Sequence, residues 1–128
     1  IKEAGMEKRV KIKSGECIND DYGKNEYDVI FVSNLIHMYD SKINKKIIKK
    51  CKTALTKNGI IMIHDFMLDS PMTDSPVASL FSLNMLIGTH GGRNYCKSEI
   101  NEWLKWSGFR KLEVLKLDSD TNIIRGFK

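Results

Sequence analysis

Two polar positions follow apolar runs and carry residue types suited to proton transfer. His37 comes shortly after the run at 27–32, and the run at 59–63 ends at the polar pair His64 and Asp65. A neutral imidazole accepts protons near neutral pH, and a carboxylate on its second ring nitrogen fixes the tautomer and stabilises the cation. The pair therefore predicts general-base chemistry. As alternatives, His37 is a structural histidine at a helix start, and Asp65 caps a helix or binds backbone amides.

The remaining histidines and the cysteines give weaker signals. His64 is expected on the opposite strand face from Asp65, with a structural role. His90 is expected to be exposed in a glycine-rich loop, with contact to the substrate as the alternative. Because His64 and Asp65 point to opposite faces, a metal site built from the three histidines and Asp65 is disfavoured, and no metal is predicted. The 3 cysteines have no paired spacing, so neither a zinc site nor a disulfide framework is predicted.

The elements that would bring His37 and Asp65 together are two strands of one sheet. Residues 28–33 and 59–65 are short apolar runs rich in β-branched residues, typical of strands buried on both faces. Between them, 41–56 carries apolar residues at helical spacing, with Asp40 or Ser41 as the cap. Strand, helix and strand in this order predict a right-handed βαβ unit. Parallel strands place polar groups at one edge, where open α/β sheets build sites.

The flanking segments predict further elements around this unit. Cys96 stands in a capping position three residues before Glu99, ahead of a short helix. The other predicted elements are a helix end closing at Gly5, a strand at 9–13, helices at 75–87 and 97–107, and an antiparallel hairpin at about 110–117 and 121–127.

Length, charge and hydropathy limit the classes of protein that fit. The 128 residues suit one domain with a modest core. The net charge is +5, but the lysines are spread along the chain and several share one helix, which favours a solvated face over a nucleic-acid surface. No apolar stretch reaches membrane-spanning length and no signal peptide is recognised, so a reducing cytoplasmic location is predicted. The chain begins at Ile1 without methionine, and we expect it to belong to a longer protein.

Several short motifs, taken in order, carry a family resemblance. They are 27–28 (YD), 34–37 (NLIH), 55–59 (LTKNG), 84–86 (NML), 91–93 (GGR), Glu99 and 107–109 (SGF). With them the chain resembles the carboxyl-terminal half of the catalytic domain of class I S-adenosylmethionine-dependent O-methyltransferases. The similar members are plant caffeate and isoflavone, hydroxyindole and bacterial polyketide methyltransferases. The resemblance implies an α/β fold over 1–128: a partial Rossmann-like sheet with flanking helices and a carboxyl-terminal antiparallel hairpin. Its strands are numbers three to seven of the order 3-2-1-4-5-7-6.

The same resemblance implies roles for individual residues. His37 matches the general base and Asp65 the carboxylate that orients it. Glu16 and Cys17 match the residues that contact the cofactor's adenine, and Ser33 and Asn34 line the cofactor side of the fourth strand. Asn94 falls where the plant enzymes have a second carboxylate and is assigned to the substrate. Independently of the resemblance, the apolar helix with Asn84 and Met85 is expected to line a substrate pocket, with plain core packing as the alternative for Met85. The implied cofactor is S-adenosylmethionine, and the implied acceptor is a hydroxyl of a small molecule.

Two cofactor-binding parts of the family are absent from these 128 residues. They are the glycine-rich loop after strand one and the strand-two acid that binds the ribose. The strands that carry them separate strands three and four, so 27–32 is expected to present an open apolar edge. We therefore expect half a cofactor site, inactive alone and part of a cytoplasmic, homodimeric enzyme. The alternative is a non-catalytic module that acts through a partner chain; nitrogen or carbon acceptors also stay open.

Overall fold

The computed structural model is a mixed α/β fold built on one sheet. It describes residues 1–69, 76–117 and 121–128, and the side chains of Pro76 and Ala78 lie outside this description, as does the predicted helix start at Ser75. The elements in chain order are β1 (Tyr27–Ser33), a 3-10 turn (Ile36–Met38), α1 (Ser41–Ala54), β2 (Leu55–Leu68), α2 (Pro76–Gly88), β3 (Tyr95–Cys96), α3 (Lys97–Trp106), β4 (Arg110–Lys116) and β5 (Thr121–Phe127).

The predicted βαβ unit is confirmed by the pairing of β1 with β2. The two strands are parallel, in register from Val29 opposite Ile60 to Ser33 opposite His64. Asp40 caps α1 by accepting a hydrogen bond of 2.8 Å from the backbone N–H of Ile43. The helix ends at Ala54 instead of residue 56, because β2 already begins at Leu55, four residues before its predicted start. His37 and Asp65 thus lie at one end of neighbouring parallel strands.

The remaining strands complete the expected sheet. Its order is β1-β2-β5-β4, with β5 antiparallel to both of its neighbours. This is the 4-5-7-6 end of the order that the resemblance implies, and it confirms the carboxyl-terminal hairpin. The strand β3 pairs with Met67 and Leu68 of β2 and was not predicted, since two residues are too short to show a pattern.

One face of the sheet is packed and the other is partly open. Helices α1 and α3 cover the packed face with a core that includes Ile47, Cys51, Ile61, Ile63, Ile100, Trp103, Leu104 and Ile124. On the opposite face of β1, Val29 and Phe31 are 53% and 55% exposed. Because β1 is also an end strand of the sheet, the expected apolar edge is present in the described structure.

The segment before β1 differs from its prediction. No strand forms at 9–13, where every residue is exposed, so that prediction was wrong. An alternating sequence needs a neighbouring strand to bond its backbone groups, and this segment has none in the described structure. The residues before Gly5 form only a hydrogen-bonded turn, closed by the N–H of Met6 on the carbonyl of Ile1 at 3.1 Å. Gly5 itself has φ +62°, as expected for a helix-terminating glycine.

No helix in the described part of the chain combines the length and apolar character needed to cross a membrane.

Candidate active site

The short turn Ile36–Met38 positions His37 directly beyond β1. Asn34 leaves the strand with φ +51°, a left-handed conformation that asparagine tolerates, and its N–H donates to the carbonyl of His64 at 2.9 Å. The buried amide of Asn44 then donates to the carbonyls of Ile36 and Tyr39, at 2.8 and 3.0 Å. These hydrogen bonds fix the backbone on both sides of His37, so the turn that carries the imidazole is held in place at both ends.

His37 and Asp65 meet in a buried hydrogen bond. His37 Nδ1 lies 2.7 Å from Asp65 Oδ1, and the two residues are 8% and 1% exposed. The same oxygen accepts the N–H of Phe66 at 2.8 Å. Because an ionised carboxylate only accepts hydrogen bonds, Nδ1 carries the proton in this contact. In a neutral imidazole the lone pair on Nε2 is then left to accept a proton from another molecule.

An aromatic pair lies against the imidazole. Phe81 of α2 meets the His37 ring edge to face, with centroids 4.9 Å apart and planes at 86°. Phe66 packs on Phe81 at 4.6 Å. Neither ring was predicted from the sequence, although Phe81 lies one helical turn before Met85 and therefore shares its helix face. Such apolar walls strengthen electrostatic interactions beside them by excluding water.

A glycine lets the chain after α2 approach the backbone of His37. A β-carbon at Gly92 would lie 2.4 Å from the His37 carbonyl oxygen and 2.3 Å from Thr89 Oγ1. Thr89 Oγ1 accepts the N–H of Gly92 at 2.9 Å and donates to the carbonyl of Met85 at 2.7 Å. Gly91, with φ +86°, turns the chain into this position. The glycine pair therefore connects the end of α2 to the base-carrying turn.

The residues assigned to the substrate occupy different environments. Asn84 is exposed on α2, whereas Met85 is half-buried. Asn94 is 1% exposed, and its N–H donates to Ser82 Oγ at 3.3 Å. Asn94 thus lies in the interior beside α2, and Asn84 is the most exposed of the three residues.

Glu16 and Cys17 lie in a second cluster, beside the free edge of β1. The two carboxylate oxygens of Glu16 accept the N–H groups of Ile18 and Asn19 at 2.9 and 2.8 Å, so this side chain closes its own turn. Cys17 Sγ lies 3.3 Å from the hydroxyl of Tyr39, two residues after His37. That hydrogen bond, and then burial, raises the pKa of Tyr39.

A groove of about 440 Å³ separates this cluster from β1. Its lining includes Glu16 and Cys17 on one side and Val29 and Ile30 on the other. Consecutive strand residues point to opposite faces, so a groove that touches both Val29 and Ile30 runs along the strand edge. Tyr22 also lines it, and burial raises the pKa of that phenol well above its usual range.

Ser33 and Asn34 lie exposed at the carboxyl end of β1. Ser33 Oγ is 2.9 Å from His64 Nδ1, and Phe31 stacks on the His64 ring with centroids 6.0 Å apart. His64 therefore occupies the sheet face opposite Asp65, as predicted. In the described residues, no three His, Cys, Asp or Glu side chains are placed to hold a metal ion.

Comparison with known proteins gives consistent matches over the chain. A family model described as an O-methyltransferase domain matches residues 1–110. The 3-hydroxy-5-methyl-1-naphthoate 3-O-methyltransferase of Streptomyces sahachiroi is 29% identical over 100% of this chain and 37% of its own length.

Solved structures agree in fold. A Nostoc punctiforme protein assigned to the O-methyltransferases superposes with a TM-score of 0.92 and 27% identity, covering 99% of this chain and 39% of that one. Human N-acetylserotonin methyltransferase, in complex with S-adenosylmethionine, superposes with a TM-score of 0.86 at 20% identity, over 95% of this chain and 34% of that one. The chain thus spans between a third and two fifths of the length of these proteins.

Proposed function

Since this chain belongs to the O-methyltransferase domain family, we propose that it supplies the acceptor side of a methyltransferase site in a longer enzyme. Residues 1–128 would form the carboxyl-terminal part of its catalytic domain. The reaction is transfer of a methyl group from S-adenosylmethionine to a hydroxyl of a small molecule. The observation that carries the proposal is the buried 2.7 Å contact between His37 and Asp65.

In this proposal His37 is the general base. Nε2 accepts the hydroxyl proton of the acceptor as its oxygen attacks, which makes the oxygen a better nucleophile. Asp65, ionised and held by the N–H of Phe66, orients the ring and stabilises the imidazolium that forms. S-adenosylmethionine, when bound, supplies the electrophilic methyl group. The proton balance closes when His37 returns the proton to solvent after the product leaves.

Glu16, Cys17, Ser33 and Asn34 are proposed to contact the cofactor. The groove beside β1 fits this role, because apolar side chains and a thiol line it and suit the face of a purine. Ser33 and Asn34 are exposed at the carboxyl end of the same strand and offer hydrogen-bonding groups there. Glu16 would act mainly by holding the turn, since both of its carboxylate oxygens already accept backbone N–H groups.

The acceptor is proposed to lie against α2. Met85 shares a helix face with Phe81, whose ring contacts that of His37. An acceptor bound against this face would therefore lie close to the base. Asn84 is exposed beside it and can bind a polar group of the acceptor. Asn94 is buried, so it would act indirectly. It would support α2 through the hydrogen bond from its backbone N–H to Ser82 Oγ.

The test is a methyl-transfer assay with the complete protein, a phenolic acceptor and labelled S-adenosylmethionine. We expect His37→Ala to lower turnover by on the order of 10² to 10⁴. His90→Ala is the matched control, because His90 is exposed in the loop after α2, and its turnover should stay within about twofold. Equal turnover of wild type and His37→Ala would contradict the role of His37 as general base. The absence of methyl transfer to any hydroxyl would contradict the proposed reaction.

A second candidate function rests on the open edge of β1. Tyr27, Val29 and Phe31 are between 44% and 55% exposed there, so the chain could act as a non-catalytic module that docks on another chain. Calorimetric titration of the 128-residue chain with S-adenosylmethionine tests whether this chain alone holds a cofactor site, and tight binding would contradict half a site. Methyl transfer by the complete protein that is lost in His37→Ala would contradict the non-catalytic module.

A further inference from the structure

The second carboxylate oxygen of Asp65 is unusually placed for a catalytic group. Oδ1 holds both His37 and the N–H of Phe66, but Oδ2 is buried and has no hydrogen-bond partner among the described residues. A buried acceptor that lacks a partner costs roughly 1 to 3 kcal/mol, and more when it is charged. A donor for Oδ2 must therefore be sought among the neighbours of Asp65.

Asn122 of β5 is the directly opposed neighbour. The antiparallel register pairs Asp65 with Asn122, so the two side chains leave the same face of the sheet. Directly opposed β-carbons in such a ladder lie about 4.5 to 5.5 Å apart. Asn122 is 6% exposed, and its Oδ1 is also buried without a partner in the described structure. Two adjacent residues thus each bury an unsatisfied oxygen.

One rotation of the Asn122 amide would offer Asp65 Oδ2 the donor that it lacks. An asparagine amide carries an acceptor and two donors on a planar group of nearly equal shape. A half-turn about its last bond exchanges Oδ1 with Nδ2 and needs no additional space. We propose that Asn122 donates a hydrogen bond from Nδ2 to Asp65 Oδ2 and is a positioning residue for the His37–Asp65 pair. This inference rests on the proposed function for its catalytic consequence, but not for the hydrogen bond itself.

The consequence is a carboxylate held at both oxygens. With Phe66 and His37 on Oδ1 and Asn122 on Oδ2, Asp65 cannot rotate away from the imidazole. The Nδ1–H tautomer of His37 is then maintained, and Nε2 stays the proton acceptor. Asn122 touches no reacting atom and acts through Asp65 alone.

Long-range proton–nitrogen NMR of the ¹⁵N-labelled protein identifies the tautomer of His37 directly. We expect wild type to show the Nδ1–H form of His37, and Asn122→Leu, which keeps the volume but removes the donor, to show a mixture of tautomers. Ile123→Val is the control, since Ile123 is half-buried on the other face of the same strand. Turnover of Asn122→Leu should fall about tenfold, with KM within about twofold of wild type.

A second measurement uses the wild-type protein, so it does not depend on whether a variant folds. One side-chain amide proton of Asn122 in the wild-type protein should exchange slowly with solvent, as a buried hydrogen-bonded donor does. Fast exchange of both amide protons, or an unchanged Nδ1–H signal in folded Asn122→Leu, would overturn the inference. The NMR results are independent of turnover, so an inactive protein that shows the tautomer shift would refute the proposed function and leave the Asn122 contact established.

Discussion

Asp65 defines the chemistry of the site at the scale of single residues, because it is both buried and charged in the proposed mechanism. Its oxygen binds a ring nitrogen and a backbone N–H, and the residue is 1% exposed. Burial of a carboxylate is costly unless such hydrogen bonds compensate for the lost water. Its environment therefore favours a role beside His37 over that of a surface cap.

Replacing this carboxylate should cost less than removing the base. We expect Asp65→Asn to lower turnover on the order of tenfold, since the amide oxygen can still accept from His37 but no charge stabilises the imidazolium. Steady-state kinetics of the complete protein checks this, with Glu102→Gln, an exposed carboxylate on α3, as the control. A larger loss in Asp65→Asn than in His37→Ala would contradict the assigned roles.

The cysteines should differ sharply in reactivity. Burial raises the pKa of the Cys51 thiol to about 12, so the reactive thiolate is almost absent below pH 9. Cys17 and Cys96 are only half-buried. Mass spectrometry after iodoacetamide treatment at pH 8 should show two adducts within minutes and the third only after unfolding. Alkylation of Cys51 at the rate of Cys17 in the folded protein would contradict this prediction.

The positions of His37 and Asp65 in the fold could be predicted from the sequence, but the residues that surround them could not. His37 and Asp65 each follow a strand, and parallel strands bring their carboxyl ends together, so their proximity was predictable. Phe81 and Asn122 were missed because the contact of Phe81 with His37 depends on helix docking, and the position of Asn122 opposite Asp65 depends on strand register. No local pattern encodes these features, because each joins residues that are far apart in the sequence.

At the scale of elements, α2 and the turn at 36–38 are coupled through Gly92. The backbone of Gly92 occupies the space where a side chain would meet the carbonyl of His37. The apolar face of α2 that carries Phe81 is therefore held in position by the chain that follows the helix. This arrangement makes the position of the base depend on a residue outside its own element.

Gly92→Ala and Gly88→Ala form a matched test of this coupling. The added methyl at Gly92 would lie 2.4 Å from a backbone oxygen, so we expect a loss of about 1 to 3 kcal/mol in unfolding free energy. At Gly88, the last residue of α2, nothing lies within 4 Å, and alanine should leave stability unchanged or raise it slightly. Denaturant unfolding measures both, and equal stability of the two variants would contradict the close approach.

Element prediction succeeded where packing and sequence pattern agree. The helix α1 has an apolar stripe and an aspartate cap, and both features appear in the structure. The strand expected at 9–13 failed because a strand exists only with a neighbour to bond, and local alternation carries no information about that neighbour. The short strand β3 was missed for a related reason, since its definition lies in its pairing with β2.

At the scale of the whole molecule, we expect β1 to determine how the chain associates, because its edge is unpaired and apolar side chains on one of its faces are exposed. Unpaired backbone groups beside exposed Val29 and Phe31 invite contact with other chains. We expect the isolated chain to self-associate with rising concentration, and the double variant Val29→Lys/Phe31→Lys to shift it toward monomer. Ile12→Lys is the control, since Ile12 is 84% exposed but belongs to no strand of the sheet.

Sedimentation velocity measures this association, and hydrogen exchange locates it. Slow exchange along the edge of β1 at high concentration would show that another chain covers the strand. A monodisperse monomer whose β1 edge amides exchange rapidly would contradict the prediction. The homodimer expected for the complete enzyme stays a separate prediction, because its interface need not involve β1.

The pH–rate profile of wild type and His37→Ala, with one phenolic acceptor of known pKa, tests the general-base proposal most directly. We expect the wild-type rate to fall through one ionisation toward acid pH, because a protonated imidazole cannot accept the acceptor's proton. His37→Ala should lose that ionisation and be slower by on the order of 10² to 10⁴. Parallel profiles, with a rate difference of less than about tenfold, would contradict the role of His37 as the base.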